Sequence, residues 1–421
     1  MSVKQAVILS AGESSRFWPF NSKHKSLFKL MGRPLIWYTI QNLKKAGISD
    51  IVIIQGPERE VEKTLKDYGV KARFVVQKRP LGTGDAIYQA RGLIKGSFLV
   101  VGPHKLDLDN YLPPLLQKSK KNPEGVVLAG VKTISPWDYG VLKIKGNKVL
   151  GIVENPPKGK EPSNIKATET YILPPDFFDF YEKLTQKEDN LIGAINSIIE
   201  QRGAELVLLK KDSVSLKYPW HLLNLSKIFF SFQYFKKSIS PSAKISKNVI
   251  INGDVFIGKN VTILENTVIN GPCYVGNNSK IAANNVFRAP VILEDDVMTG
   301  AFCEIKNSIV GRGTHLHSGY VGDSVIGENC RFGAGFITAN RRTDRNNIKS
   351  IVKKEKIDTG LTRLGAVIGS DTRFGIHTGT MPGVIIGSGC NIGPGTLVFE
   401  NLEDNTTFYA KFERVLKKSR R

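Results

Sequence analysis

Two hydrophobic rhythms divide the chain. From Gln5 to about Trp220, short apolar runs alternate with stretches in which apolar residues recur every three or four positions. QAVILS, DIVIIQ, ARFVVQ, SFLVVG and GVVLAGV, each bounded by glycine, proline or charge, predict strands. LIWYTIQNLKKAG and EREVEKTLKDYG have the spacing of amphipathic helices, and each ends in glycine. Repeated β–α units predict a largely parallel sheet covered on both faces. Ligands then sit at the carboxyl ends of the strands, where the loop after VILS falls. Past Asn224, LSKIFFSFQYFKK predicts a connecting helix.

Beyond that helix the period becomes six. Ile245, Ile251, Ile257, Ile263, Ile269, Val275, Ile281 and Phe287 follow one another in phase, and the pattern returns at Ile368, Phe374, Thr380, Ile386, Ile392 and Val398. No helix has a six-residue repeat; hexads of this kind predict a parallel β-helix whose aliphatic positions point into a narrow prism. Gly258, Gly276, Gly369 and Gly387 follow apolar hexad positions and are expected to permit the turns. The expected organisation is an α/β domain over 1–224, a linker helix over 225–240 and a β-helix with a basic tail over 241–421. The last few residues, ending KKSRR, are expected to be disordered.

Composition changes this picture little. With 421 residues, 41% of them hydrophobic and 23% charged, the chain suits two or three globular domains. No apolar run approaches the ~20 residues of a membrane span, and the apolar start of the chain reads as a strand rather than a leader, so a cytoplasmic location is expected. Cys273, Cys303, Cys330 and Cys390 have no CxxC spacing, which argues against a zinc site or a disulfide framework. Cys390 falls on a small inward hexad position. The net charge of +22 admits anionic small molecules. Its spread over loops and helix faces does not describe a nucleic-acid surface, and neither nucleic acid nor membrane is an expected partner.

Candidate chemistry begins at LSAGESSRFWPFNSKHKSLFKL. Gly12 to Ser15 can turn backbone N–H groups toward phosphates, and Arg16 and Lys25 can reach them. In order along the chain come Gln77, Gly82 and Thr83 in QKRPLGTGDAI. In the second half, hexad phase is lost between about Leu293 and Gly365, and that window contains His317-Ser318-Gly319-Tyr320-Val321-Gly322-Asp323 and Gly333-Ala334-Gly335 ahead of Asn340.

Taken together these motifs resemble the bifunctional N-acetylglucosamine-1-phosphate uridylyltransferase/glucosamine-1-phosphate acetyltransferase family, in particular its archaeal sugar-1-phosphate nucleotidylyltransferase relatives. The resemblance implies a Rossmann-like nucleotidyltransferase domain followed by a left-handed β-helix. It implies nucleotide binding by Gly12, Arg16, Lys25, Gln77, Gly82 and Thr83; Ser14 stands where the family has glycine, tolerable if the loop needs no positive φ there, and His24-Lys25 stands where Pro-Lys is usual. It also implies an acetyltransferase in which His317 is the base and Arg288, Lys306, Tyr320, Asn340 and Lys349 hold the amino sugar, with Glu304 alongside. His315 is a second candidate base. Sugar 1-phosphate, nucleoside triphosphate or nucleotide sugar, and acetyl-CoA are the implied partners, and a homotrimer is the implied assembly.

The family's metal-binding positions are not matched. Where an aspartate after glycine is usual, FLVVGPHKLDLDN offers Pro103 or His104, and Ser215 stands where a second is usual. Asp107 is not an obvious substitute, and Glu154-Asn155-Pro156 replaces Glu-Lys-Pro. No metal ligand is therefore assigned, and Mg²⁺ is implied only if the first domain is active. Mg²⁺ neutralises the transferring phosphoryl group, and losing ~4 kcal/mol of that stabilisation slows transfer about a thousandfold. The expectation is a live acetyltransferase joined to an impaired nucleotidyltransferase domain. Two other readings stand beside it: a fully bifunctional pyrophosphorylase and acetyltransferase, and a nucleotide- or sugar-phosphate-binding regulatory subunit.

Overall fold

A computed structural model describes residues 3–146, 148–184, 190–211, 215–231, 235, 237–413 and 416. The chain divides into two units. One comprises Met1–Ser14, Lys23–Lys29 and Arg33–Ser215, and the other Ser15–Ser22, Leu30–Gly32 and everything from Leu216 on.

The first unit is built on β1 (Gln5–Ser10), β2 (Asp50–Gln55), β3 (Arg73–Val76), β4 (Phe98–Val101), β5 (Val126–Lys132), β6 (Val141–Lys145), β7 (Lys148–Val153), β8 (Ile165–Leu173) and β9 (Ala204–Leu209). The sheet order is β9-β5-β8-β4-β1-β2-β3, with β6 and β7 hanging off β8. The sheet is mixed rather than largely parallel: β1–β2, β1–β4, β2–β3 and β5–β9 are parallel, while every pairing of β8 and the β6–β7 pair are antiparallel. The central strands are apolar almost without interruption because both faces are covered. Val7, Val52, Ile54 and Val100 enter one core, while Ala6, Ile8, Ile51, Ile53, Leu99 and Val101 enter the other.

Four strands, β6 to β9, lie outside the runs predicted from the sequence, and one of them breaks the apolar rhythm altogether. β8 runs antiparallel between β4 and β5. Its sequence, IKATETYIL, mixes Lys166, Thr168, Glu169 and Thr170 among the apolar residues, so that no continuous apolar run announces it. It delivers Glu169 and Tyr171 to the site described below.

The second unit begins with the helix His221–Ser231. Within the expected linker, residues 232–234 and 236 lie outside the described residues, as do residues 417–421, the KKSRR end. The β-helix follows, left-handed, with strands of two to eight residues gathered into a fourteen-stranded and a nine-stranded sheet. Val255–Ile257 pairs with Cys273–Val275, and Thr262–Ile263 with Lys280–Ile281, each eighteen residues on. One coil is therefore three hexads. Val255, Ile257, Ile263, Ile269, Val275, Ile281 and Phe287 fill the prism.

Two devices hold the coils. Corners that need a left-handed residue take asparagine or aspartate: Asn260, Asn278 and Asp296 have φ of 56°, 58° and 61°. The Asn260 amide donates to Asn278 and the Asn278 amide to Asp296, each at 3.2 Å. The glycines after the apolar positions do something else. None of the four has positive φ, but a Cβ on Gly258, Gly276, Gly369 or Gly387 would lie 2.5–2.8 Å from the neighbouring coil's backbone. They serve close approach rather than the turn itself. All four cysteines are buried and free. Burial pushes the Cys303 and Cys330 thiols up to about 12, as it raises Cys273 and Cys390.

The lost phase between Leu293 and Gly365 has a structural cause. Val291 pairs with Ser308, seventeen residues on, and Glu304 with Tyr320 and Ile309 with Val325, sixteen on. Val325 then pairs with Val367, forty-two on, because the chain between Thr338 and Ala366 leaves the coil to form the hairpin Lys349–Val352/Glu355–Asp358. The interval of eighteen resumes at Ala366 and Val384. Among the described residues, no helix is long and apolar enough to cross a membrane.

Candidate active sites

In the first unit, the loops leaving β1, β3 and β4 enclose a cavity of about 430 Å³ at the carboxyl ends of the strands. Gly12, Lys25, Gln77, Gly82 and Thr83 line it together, with Gly102, Pro103 and His104 opposite. Gly12 is exposed, and a side chain there would meet nothing within 4 Å, so its backbone lies open to a ligand. Arg16 lies in the single turn Ser15–Phe17 and is exposed.

Ser14 corrects an expectation. It was tolerable in place of glycine only if the loop needed no positive φ there, yet its φ is 54°. A left-handed non-glycine residue costs about 1–2 kcal/mol. Its Oγ accepts the Lys25 N–H at 3.0 Å, which offsets part of that cost and fixes the entry to Lys25. His24, where proline would be usual, donates its own backbone N–H to Glu60, a bond proline cannot make. Its ring is buried against Ser26, Nδ1 to Oγ 2.7 Å, and burial followed by Lys25 pushes its pKa down to about 3. His24 is therefore neutral and structural. Gln77 spends its amide donors on Gly82 O (3.1 Å) and Asp85 Oδ2 (2.7 Å), tying the two halves of its loop.

Both Pro103 and His104 line the cavity, and neither supplies a carboxylate. Two glutamates not assigned from the sequence do. Glu154 follows β7 and Glu169 comes from β8. A Cβ on Gly102 would lie 3.2 Å from Glu169 Oε2, which places that carboxylate beside the end of β4. Glu169 was missed because its strand was not predicted. Asp109 pairs with Lys45, and Asp107 is buried outside the cavity lining. The donor set is thus hard carboxylate oxygen from Glu154 and Glu169, which suits Mg²⁺, while proline has no donor and imidazole suits it poorly. Among the described residues no three of His, Cys, Asp and Glu form a metal-holding group.

The second site is built by stacking. Arg288 pairs in register with Lys306 on the next coil, and Glu304 with Tyr320 on the one after. Arg288 forms an ion pair with Glu304. Asp323, nearly buried, is the hub. It receives Lys306 Nζ at 3.0 Å, the Asn307 amide at 2.6 Å and the Asn340 amide at 2.5 Å. The Asn340 amide also reaches Tyr320 Oη at 3.0 Å. The shortened coils make this possible by setting Asn307 and Asp323 at φ of 43° and 51°. A Cβ on Gly322 would lie 2.3 Å from Tyr320 Oη, so only glycine leaves room for the phenol. Burial and then Asp323 hold the Tyr320 hydroxyl above its ordinary pKa, with Arg288 opposing and Glu304 adding. Tyr320 stays a donor. Asp323 lay inside a quoted motif but was given no role; its acceptor geometry shows only once the coils are stacked.

His317 is placed differently. It follows the strand His315–Leu316 of the nine-stranded sheet, whereas Tyr320 belongs to the fourteen-stranded one, and the corner between them passes through Gly319 at φ 130°. His315 and His317 line one hollow with Met298, Arg331 and Phe374. Burial and then Arg331 hold His315 below its ordinary pKa. Lys349 lies in the inserted hairpin and lines a third, basic hollow with Arg342, Arg345 and Lys356.

Comparison with known proteins gives a consistent pattern. The nucleotidyl transferase family matches residues 5–221, and the bacterial transferase hexapeptide (six repeats) family matches 254–289 and 365–400. The chain is 34% identical to the "Bifunctional protein GlmU" of Methanococcus vannielii, over 98% of this chain and 99% of that one. It is 33% identical to the "Bifunctional sugar-1-phosphate nucleotidylyltransferase/acetyltransferase" of Sulfurisphaera tokodaii, over 94% and 97%. Among solved structures, a UDP-glucose pyrophosphorylase from Acinetobacter baumanii covers 55% of this chain and 95% of its own, with 21% identity and a TM-score of 0.47.

Proposed function

Because the chain belongs to the family of bifunctional sugar-1-phosphate nucleotidylyltransferase/acetyltransferase proteins, we propose that its β-helix acetylates a hexosamine 1-phosphate with acetyl-CoA. The observation that carries this reading is the Asp323 hub, which joins Lys306, Asn340 and Tyr320 beside the Arg288–Glu304 pair. Hydrogen-bonding groups held this firmly orient a polyhydroxylated substrate without reorganising. In the reaction the sugar's amine nitrogen bonds to the thioester carbonyl carbon, the C–S bond breaks, and CoA leaves with the electron pair. His317 takes the proton the nitrogen sheds and passes it to the departing sulfur. His315, whose proton affinity is reduced, is the weaker base. His317 and the Asp323 hub line different hollows in one chain, and a homotrimer sharing its sites between neighbouring β-helices is part of the proposal. Lys349 approaches substrate from the insertion.

In the first unit the reading is nucleotide or sugar-phosphate binding with impaired transfer. Gly12, Lys25, Gln77, Gly82 and Thr83 keep a cradle for phosphates and base, while Pro103 removes the aspartate expected after Gly102. A bound Mg²⁺ would neutralise phosphoryl charge, and Glu154 and Glu169 are the residues that would hold it. Those two carboxylates favour a second reading, in which transfer is retained with relocated ligands.

Two assays on one preparation decide. One follows CoA released from acetyl-CoA with glucosamine 1-phosphate. The other follows pyrophosphate released from UTP or dTTP with N-acetylglucosamine 1-phosphate and Mg²⁺. CoA release without pyrophosphate, lost in His317→Ala, is expected. Robust pyrophosphate release that falls in Glu169→Gln establishes the second reading instead, and absence of CoA release overturns the first.

A further inference from the structure

The connection from β1 to the helix Leu35–Lys45 does not stay with its own unit. Ser15–Ser22 and Leu30–Gly32 belong with the β-helix, whereas Lys23–Lys29 between them belongs to the α/β unit. Lys25, which lines the nucleotide cavity, therefore stands on a short stretch whose two ends both lead into the second unit.

Each excursion is tied to a carboxylate there. Met31 and Gly32 have φ of 51° and 74°, and such a left-handed pair aims two consecutive backbone N–H groups at one anion. Both donate to Glu294, to Oε1 at 2.6 Å and to Oε2 at 2.7 Å. Trp18 Nε1 donates to Asp404 Oδ1 at 3.3 Å, and the Ser388 N–H donates to the same oxygen at 2.7 Å. Phe17, beside Trp18, and Leu30, beside Met31, are fully buried.

Glu294 breaks the rule of its own column. At one corner of the prism, the residue whose N–H donates to the next coil is Gly258, Gly276, Gly311, Gly327, Gly369 or Gly387. A Cβ on any of them would lie 2.5–2.8 Å from the adjoining coil. On one coil between Gly276 and Gly311 the same place is taken by Glu294, whose N–H donates to Val310 O at 2.9 Å. Its side chain is 4% exposed, so its carboxylate needs protein donors, and the Met31–Gly32 turn supplies two.

We propose that Glu294 and Asp404 are positioning residues of the nucleotide cradle. They touch no nucleotide; they hold the Met31–Gly32 turn and Trp18, and so fix both ends of the stretch that presents Lys25. Order paid for in advance by the β-helix is order that the ligand need not supply on binding. The proposal rests on the reading of the first unit as a nucleotide-binding domain, and it makes that binding depend on the second.

The test uses the full chain, with calorimetric binding of UTP and dTTP and thermal unfolding of each variant. Glu294→Ala is expected to raise the nucleotide Kd about tenfold, and Glu294→Gln, which keeps one acceptor oxygen, by less. Trp18→Phe keeps a ring and loses only the donor; it should raise Kd about threefold, as should Asp404→Ala. Asp404→Asn, which keeps an acceptor, should bind as wild type does. A merely structural role would lower the melting temperature and leave the Kd of the folded protein alone. A Kd within twofold of wild type in Glu294→Ala overturns the role of Glu294, and in Trp18→Phe that of Asp404, while the cradle reading stands. If Glu294→Ala does not fold, Glu294→Gln decides by whether its Kd rises at all. A wild type that binds neither nucleotide overturns the cradle reading and this proposal with it.

Discussion

The two units assemble their sites by opposite routes. In the α/β unit, the cavity residues arrive on several different loops and strands far apart in sequence: Gly12 after β1, Gln77 after β3, Pro103 after β4, Glu169 from the antiparallel β8. In the β-helix the site is a column. Arg288, Lys306 and Gly322 occupy one register position on consecutive coils, and Glu304 and Tyr320 another. A loop-built site can lose or exchange one residue while its frame persists, since Pro103 and Glu169 reach the cavity on separate segments. A column ties side chains to coil length, so its chemistry and its fold fail together.

Four predictions press on that contrast, from the largest effect down. Asp323→Asn keeps a residue tolerant of left-handed φ but leaves the Lys306 ammonium, whose side chain is 16% exposed, without its carboxylate. It should cost the β-helix roughly 3 kcal/mol in urea unfolding, and abolish acetyl transfer at the same time. Stability retained with activity lost would separate the two and break the contrast.

The second prediction concerns His24. Its folded pKa, about 3, lies below the ordinary 6.5, so the unfolded chain binds the proton first. The contribution is fully present above pH 6.5 and lost as pH falls toward 3. At pH 4.5 it should amount to about 3 kcal/mol of lost stability. Thermal unfolding across this range should therefore show the α/β unit weakening on acidification, and His24→Gln should flatten the dependence.

Gly276→Ala and Gly12→Ala form a matched pair. The first would place a Cβ 2.5 Å from Asp295 N and should cost about 2 kcal/mol of β-helix stability. At Gly12 the added Cβ meets nothing within 4 Å. That change should move stability by less than about 0.5 kcal/mol, yet weaken nucleotide binding, read by titration with a fluorescent nucleotide. Equal stability losses in the pair would show that close approach is not what the hexad glycines provide.

The β-helix was legible because its period is written in the sequence. Eight apolar residues in phase from Ile245 to Phe287 fix inward and outward positions, and the eighteen-residue coil aligns Arg288 with Lys306. Loss of phase marked the functional window, but not the sixteen-residue coils that turn Asn307 and Asp323 into αL corners, since a shortened repeat looks like none. In the α/β unit, apolar runs located β1 through β5, but β8 was hidden by its polar residues, and Glu169 with it. Ser14 looked like an ordinary substitution, and its left-handed φ is a property of the closed loop rather than of the residue. The Pro103 and His104 positions were readable because they follow directly from a strand whose end the sequence marks.

Stacked coils also decide how the β-helix comes apart on heating. Among the coils, each pairs only with the ones above and below, so its persistence is set largely by nearest neighbours, and the outermost coils, with Ser238–Ile239 at one end and Thr407–Phe408 at the other, have a coil on one side only. Melting should therefore begin as fraying at both ends and travel inward. The coils bearing Arg288, Lys306 and Tyr320 lie in the interior and should be the last to open. Hydrogen exchange would register this as a gradient of protection, highest around Ile305 and Val321 and falling toward the two ends.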